Sequence, residues 1–584
     1  QVAPGGAVVH RIHPPSMGAG RVYDGPVTSP APAPAPAADV PPAAVAWAPG
    51  RGATRVSSAR VLDLPTIARL RDFMPTDRAR SWIIGCSLAL LAFVLRVINL
   101  GYPSYLVFDE TYYAKDAYSL LHYGYERQWP DPMEETNKAF VAGDYHYLQS
   151  GPSFVVHPPL GKWIIAVGEQ LFGVNSFGWR IMACLFGSLM VLLVFRLARR
   201  VARSTLVGAI AGLLLTVDGL AFTMSRIALL DVFQAFFLVA AVAAVVADRD
   251  WFRNRLADRL VAAGRVDLGG AFGRLALWRP WRWVAGVMFG ASCAVKWNSV
   301  YVLAAFGVLS VLWDVGARRL AGADFRAWLA LLFDGIPAFV AMVVTAVATY
   351  VASWAGWFAT PGGWDRDWGA NNPDSPLVRA FGKDVASWLW YHKEVYDFHT
   401  GDFINHATHP YNAHPAGWLL MLRPIGMDAV NDIAPGTDGC VNPDGNCLRV
   451  ITGLGTPLLW WAAAIALVVA VVWWLAGRDW RFGVPVVAVA STWLPWVYQG
   501  VTTTRPLFFF YAIIIVPFTV LGLALVLGLV LGKARSGARR WGAVVVGLVV
   551  ALIVLDFGYL YPIFTDALLP YKDWLARMWL QTWI

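Results

Sequence analysis

Charge is scarce in this chain. Only 15% of its 584 residues are Asp, Glu, Lys or Arg, where a soluble domain carries roughly 25%. That shortfall excludes an ordinary soluble globule. Cysteine is scarce as well, with five in all, which excludes a disulfide-dense secreted scaffold. Cys86, Cys184 and Cys293 lie in apolar runs, where a small buried hydrophobe is their simplest role. Cys440 and Cys447 bracket the turn-rich VNPDGN. A local disulfide fits them if that loop lies outside the cytoplasm. Half of a zinc site is the other reading, but no second Cys/His pair of suitable spacing accompanies them. An acidic surplus is missing too, since the net charge is +9. The basic residues sit at the ends of apolar runs and not on one soluble face. They read as a topology signal, and no nucleic-acid partner is expected.

What the chain does have is apolar length: 57% of it is hydrophobic. The strong runs fall near 82–100, 177–198, 205–222, 228–247, 283–297, 299–314, 328–354, 455–476, 483–499, 507–532 and 541–562. These eleven predict a polytopic, all-α membrane protein embedded in a lipid bilayer. A weaker run, 158–173, contains Lys162 and Glu169. As a helix it would be about 24 Å long, short of a bilayer core of about 30 Å.

Loop charge arbitrates its placement. With 158–173 lying at the interface, the cytoplasmic segments become 199–204, 248–282, 315–327, 477–482 and 533–540. Each is rich in Arg or Lys: Arg199, Arg200 and Arg203 in the first, eight Arg in the second, Arg539 and Arg540 in the last. A spanning 158–173 would turn all of them outward, against the positive-inside bias. The prediction is eleven spans, N-terminus inside and C-terminus outside, with an interfacial helix at about 158–173. Residues 1–80 read as a disordered Pro/Ala-rich cytoplasmic tail ending in a basic stretch, with no secretory signal pattern ahead of it. Residues 81–354 form an N-terminal transmembrane module with an outer loop at 101–176. Residues 355–454 form a second outer loop, and 455–584 a C-terminal transmembrane module. Both outer loops lean acidic, with nine Asp/Glu against four Lys/Arg in 101–176 and eleven against six in 355–454.

Candidate chemistry gathers at the outer face. Asp109 and Glu110 follow the first span in VFDETYY. A carboxylate there can take the proton of an attacking hydroxyl, and the flanking aromatics favour a cleft over a solvated pair. His157 and Lys162 sit in HPPLGK, where Lys162 can reach a lipid phosphate or simply snorkel, and His157 can serve as a cap. Arg180, Arg226, Asp231, Lys296 and Arg505 stand at the outer ends of spans, where charge is costly and points to function. Several basic groups on one face suit an anionic lipid headgroup. Ion pairing, Arg226 with Asp231 for example, is the structural alternative.

These residues resemble a family. FDETYYAKDAY, HPPLGKWII, FGWRIM, SRIALLDVFQ, GASCAVKWN and RPLFFFYAIIIVPF, in this order and spacing, are similar to the dolichyl-phosphate-mannose–protein mannosyltransferases. The resemblance runs from about residue 82 to 584. It implies a GT-C glycosyltransferase fold, a polyprenyl-phosphate-mannose donor and Ser/Thr hydroxyls of unfolded secreted proteins as acceptors, near the Sec translocon. It implies Asp109 as the catalytic base and Glu110 as its neighbour, which orients the site by pairing with a basic residue such as Arg180. Arg180, Lys296 and Arg505 become candidates for the donor phosphate, with His157, Lys162, Arg226 and Asp231 in support. Eukaryotic members carry a β-trefoil domain after the seventh span. Here about 100 residues with HPYNAHPAGW stand instead, which implies a bacterial, actinobacterial-type member of the plasma membrane using a polyprenol carrier. Inverting displacement needs no metal or other cofactor, although Mg²⁺ or Mn²⁺ on Asp109, Glu110 and Asp231 stays open. The near alternative is a GT-C enzyme acting on lipid or cell-wall glycan. A transporter should show inverted repeats and broken mid-membrane helices, and neither is visible.

Overall fold

The computed structural model describes residues 66–71, 73–443, 445–532 and 536–584. Most of the tail predicted over 1–80 lies outside these residues. All eleven apolar runs fall on helices. Seven helical segments are long and apolar enough to cross a membrane: Arg78–Val97, Ser176–Ala202, Asp231–Ala262, Trp297–Leu320, Asp324–Ser353, Pro457–Leu475 and Ala538–Phe564. Thr205–Thr216 and Val516–Leu531 are apolar but shorter. The remaining runs lie on Pro280–Cys293, which is 14 residues long, and on Trp480–Thr502, which contains Pro485 and Pro495. Sequence reasoning treats all eleven as equal spans; the helices differ because buried elements can be shorter or more polar than lipid-facing ones.

Local chemistry sets the boundaries. Ser176–Ala202 starts where the Asn175 side chain accepts from the backbone N–H groups of Phe177 and Gly178, and Thr205–Thr216 starts on a Ser204 cap. Asp231–Ala262 has 32 residues, about 48 Å of helix. It outruns the bilayer core, so its C-terminal part emerges on one side. There Asp248 and Asp314 accept from Arg279 and Arg282 at 2.6–3.1 Å, all four buried. Nearby, Arg200 reaches Asp250 at 3.0 Å and Arg199 reaches Asp77 at 2.7 Å. Each arginine meets a carboxylate, which offsets the cost of burying its charge.

The opposite end carries the elements of segments 101–176 and 355–454. Leu160–Phe172 is the helix expected at the interface. It buries Lys162, Ile165 and Glu169 and exposes Leu171 and Phe172. Three strands appear that the sequence reading did not call. β1 (Ile425–Ile433) pairs antiparallel with β2 (Cys447–Gly453), and β2 with β3 (Leu569–Pro570). Cys440 and Cys447 are joined by a disulfide across the β1–β2 connection. The C-terminal residues close over this sheet, with Arg423 donating to the carbonyls of Thr582 and Ile584. The end of the segment 455–584 therefore packs against 355–454.

Helix Pro376–Thr400 lies in the segment 355–454 and kinks at Gly382, whose φ of 76° favours glycine. Its C-terminal end brings Tyr396 and His399 to the cavity described next.

Candidate active site

Asp109 sits where the loop after the first span turns into helix Glu110–Tyr123. The preceding residue, Phe108, has φ 52°, a left-handed conformation that costs a non-glycine residue on the order of 1–3 kcal/mol. Its ring is held edge-on to Phe510 at 5.5 Å. Strain retained beside a carboxylate marks a position that the surroundings over-determine.

Glu110 supplies much of that determination. It is fully buried. Its oxygens accept from Arg180 Nε and Nη2 at 2.8 Å each and from the backbone N–H groups of Val107 and Ala228 at 2.9 Å each. Arg180 also donates to the carbonyls of Leu100, Pro103 and Tyr105. All five guanidinium hydrogens are thereby committed. Glu110 and Arg180 staple the loop 100–110 to two other segments, and Asp109 is the next residue along.

The Asp109 carboxyl differs from its neighbour. It is half-buried, and among the described residues no hydrogen bond to its side chain is found. Burial pushes its pKa up to about 6, with Asp231 pushing the same way and Lys296 opposing. An acid in that range is mostly ionised near neutrality and is a competent base.

Beside it opens a cavity of about 550 Å³. Its wall includes Asp231, Lys296, Arg505, His157, His399 and Tyr511. Lys296 Nζ bonds both Asp231 oxygens at 2.8 and 2.9 Å, which leaves one ammonium hydrogen free of that pair. Arg505 Nη1 touches the His399 carbonyl at 3.5 Å, and its buried Nε has no hydrogen-bond partner among the described residues. Burial and the neighbouring Lys296 hold the His157 imidazole well below its ordinary pKa, so it is neutral. Its ring faces that of His399 at 5.9 Å.

Several expectations need correction. Arg226 does not pair with Asp231. It donates to the carbonyls of Arg96, Ile98 and Asn99, satisfying chain ends that the first helix leaves open. Lys162 does not reach out to lipid. It is buried on Glu126, with Asp116 at 3.6 Å, because its helix face packs inward. Arg180 has no hydrogen left for a phosphate. The expected set thus splits: Asp231, Lys296, His157 and Arg505 line the cavity, Asp109 lies within electrostatic reach of Asp231 and Lys296 without lining it, and Glu110, Arg180, Arg226 and Lys162 build the frame. Sequence reasoning missed His399, Tyr396 and Gln234 as cavity residues. Trp297 and Tyr511 stood inside quoted stretches, yet nothing in one sequence separates such aromatics from an interface belt.

Among the described residues no group of three or more His, Cys, Asp or Glu is placed to hold a metal ion. Asp109, Glu110 and Asp231 do not converge, since Glu110 and Asp231 are turned to Arg180 and Lys296.

Helices long and apolar enough to cross a membrane carry a cavity whose wall holds Asp231, Lys296 and Arg505. The fold matches that of the S. cerevisiae protein O-mannosyltransferase Pmt1–Pmt2 complex bound to the sugar donor, with TM-score 0.63 over 89% of this chain and 94% of that one, at 12% identity. Residues 86–353 match the family description dolichyl-phosphate-mannose-protein mannosyltransferase. The polyprenol-phosphate-mannose–protein mannosyltransferase of Mycobacterium tuberculosis is 37% identical over 524 residues, 88% of this chain and 94% of that protein. The protein of the same description from Corynebacterium glutamicum is 33% identical over 521 residues, 86% and 93% of the two chains. The chain belongs to this protein mannosyltransferase family.

Proposed function

We propose that the protein transfers mannose from a polyprenyl-phosphate-mannose donor to Ser/Thr hydroxyls of secreted proteins, at the outer face of a bacterial plasma membrane. The acceptor arrives unfolded, as from the Sec translocon. Asp109 takes the hydroxyl proton as the oxygen attacks C1 of mannose. The bond between C1 and the phosphate oxygen breaks on the opposite face, and polyprenyl phosphate leaves. A single displacement inverts the anomeric centre, so a β-linked donor yields an α-mannoside. Lys296 and Arg505 stabilise the departing phosphate by charge-assisted hydrogen bonds. Glu110 and Arg180 position the base. A monophosphate leaving group can be balanced by such cations without a metal.

The observation that carries this reading is the Asp109 carboxyl, without a hydrogen bond among the described residues and tuned to about 6 within reach of the cavity residues Asp231 and Lys296. Asp109→Asn keeps the size and removes the base, and turnover should fall by about 10²–10⁴-fold with donor binding retained. Near-normal turnover by Asp109→Asn refutes the role.

A further inference from the structure

Trp297 lines the cavity directly after Lys296 and ahead of Asn298, also in its wall. Its orientation is fixed from behind. The indole Nε1–H donates to the Tyr350 hydroxyl at 2.8 Å, and that hydroxyl lies 2.7 Å from His392 Nε2. His392 Nδ1 is 2.7 Å from the carbonyl oxygen of Trp388. A carbonyl can only accept, so Nδ1 carries the hydrogen. Burial lowers the His392 pKa to about 4, so the ring is neutral and Nε2 must accept. Every donor in the chain Trp297 to Tyr350 to His392 to Trp388 then has one direction. The His392 ring also lies near-parallel to the indole, at 5.7 Å and 19°.

This arrangement holds the indole by its one polar atom and turns that atom away from the ligand space. What remains toward the cavity is apolar ring surface among polar and charged groups: Lys296, Asp231, Asn298 and Gln234. A rigid aromatic face surrounded by hydrogen-bonding groups fits a ligand with an apolar C–H face and a rim of hydroxyls. A pyranose has that form; the apolar part of the same wall, Val156, Val300, Tyr301, Pro495 and Trp496, is left for the isoprenoid.

We propose that Trp297 is the platform on which the donor's sugar ring stacks, and that Tyr350 and His392 are positioning residues that lock its tilt. The proposal rests on the glycosyl-transfer reading above. It adds a specificity residue on the sugar side, distinct from the phosphate contacts of Lys296 and Arg505. Without the Nε1 hydrogen bond the indole torsion is broad and roughly two-fold, so the platform would be present but misaligned.

The test uses the full-length purified protein with two ligands: the intact polyprenyl-phosphate-mannose donor, and polyprenyl phosphate without sugar as a competitive inhibitor. Trp297→Leu should raise the donor KM about tenfold and leave the inhibition constant of polyprenyl phosphate unchanged. Trp297→Phe should restore part of the loss. Tyr350→Phe and His392→Leu should move the donor KM in the same direction by less, while His392→Gln, whose amide oxygen can still accept, should stay near wild type. The unchanged inhibitor constant shows that a variant has folded with an intact lipid-phosphate site. An equal loss for both ligands makes Trp297 a lipid or packing residue, and no change for either makes it a bystander; each overturns the proposal. Inactivity of the unsubstituted protein with this donor, by contrast, overturns the underlying reading.

Discussion

Adjacent acids take opposite fates in this molecule. Asp109 and Glu110 are neighbours in sequence, yet the Glu110 carboxylate is saturated with four hydrogen bonds while the Asp109 carboxyl has none among the described residues. A helix start separates them: successive residues point about 100° apart, and only Glu110 turns to Arg180. Asp109 has its pKa raised from 3.8 to about 6. Its base form is therefore lost as pH falls through about 6, and kcat/KM should decline with a limb centred there and a plateau above it. A limb that persists unchanged in the residual activity of Asp109→Asn assigns it to another group. Glu110→Gln tests the frame. It leaves the buried Arg180 charge unbalanced, a loss of about 3–5 kcal/mol, so thermal unfolding should drop markedly. A Glu110→Gln protein with wild-type stability but no turnover would instead make Glu110 a direct participant. The DE pair stood out in the sequence as a candidate. Which acid does chemistry was not legible, because that depends on Arg180, Val107 and Ala228, up to 118 residues away.

Elements were legible where the driving force is periodic and local. Each apolar run lies on a helix because lipid leaves backbone groups no other partner. The helix at 158–173 was legible as a short element unlike the spans, since Lys162 and Glu169 are costly in lipid; the structure shows it as Leu160–Phe172 with both charges buried in the protein. The strands were not. β1 reads IGMDAVNDI, with little β-branched content and acids where a core residue would be expected. β2 reads CLRVITG and is short. Long-range pairing with β3 and the disulfide stabilises them, and a single sequence shows neither partner. The sidedness of these elements is open to direct test. In a protein whose Cys86, Cys184 and Cys293 are replaced by alanine, Ser150→Cys should react with an impermeant thiol reagent in intact cells, and Arg265→Cys only after lysis. Labelling of Arg265→Cys in intact cells would turn the helices over and move the site to the cytoplasm.

At the scale of the whole molecule, the design separates two kinds of charge. Ion pairs such as Arg279 with Asp248 and Asp314 are closed and buried at one end of the bundle. At the other end Arg505 lines the cavity and pairs with no carboxylate among the described residues. Closed pairs hold helices together, and an open cation can receive a phosphate. Because cations line the cavity and three acids do not converge, transfer should survive exhaustive EDTA treatment, while Arg505→Ala should raise the donor KM. Abolition by chelation with recovery on adding Mn²⁺ or Mg²⁺ would require a metal-assisted path. The central claim, that Asp109 drives mannosyl transfer from lipid phosphate to protein, is tested most directly by mass spectrometry. Purified protein is incubated with polyprenyl-phosphate mannose and a Thr/Pro-rich peptide, beside Asp109→Asn. The account predicts a peptide heavier by one hexose, attached to Ser or Thr, with the unsubstituted protein and an unmodified peptide with the variant. An unmodified peptide in both reactions, or equal modification in both, would contradict it.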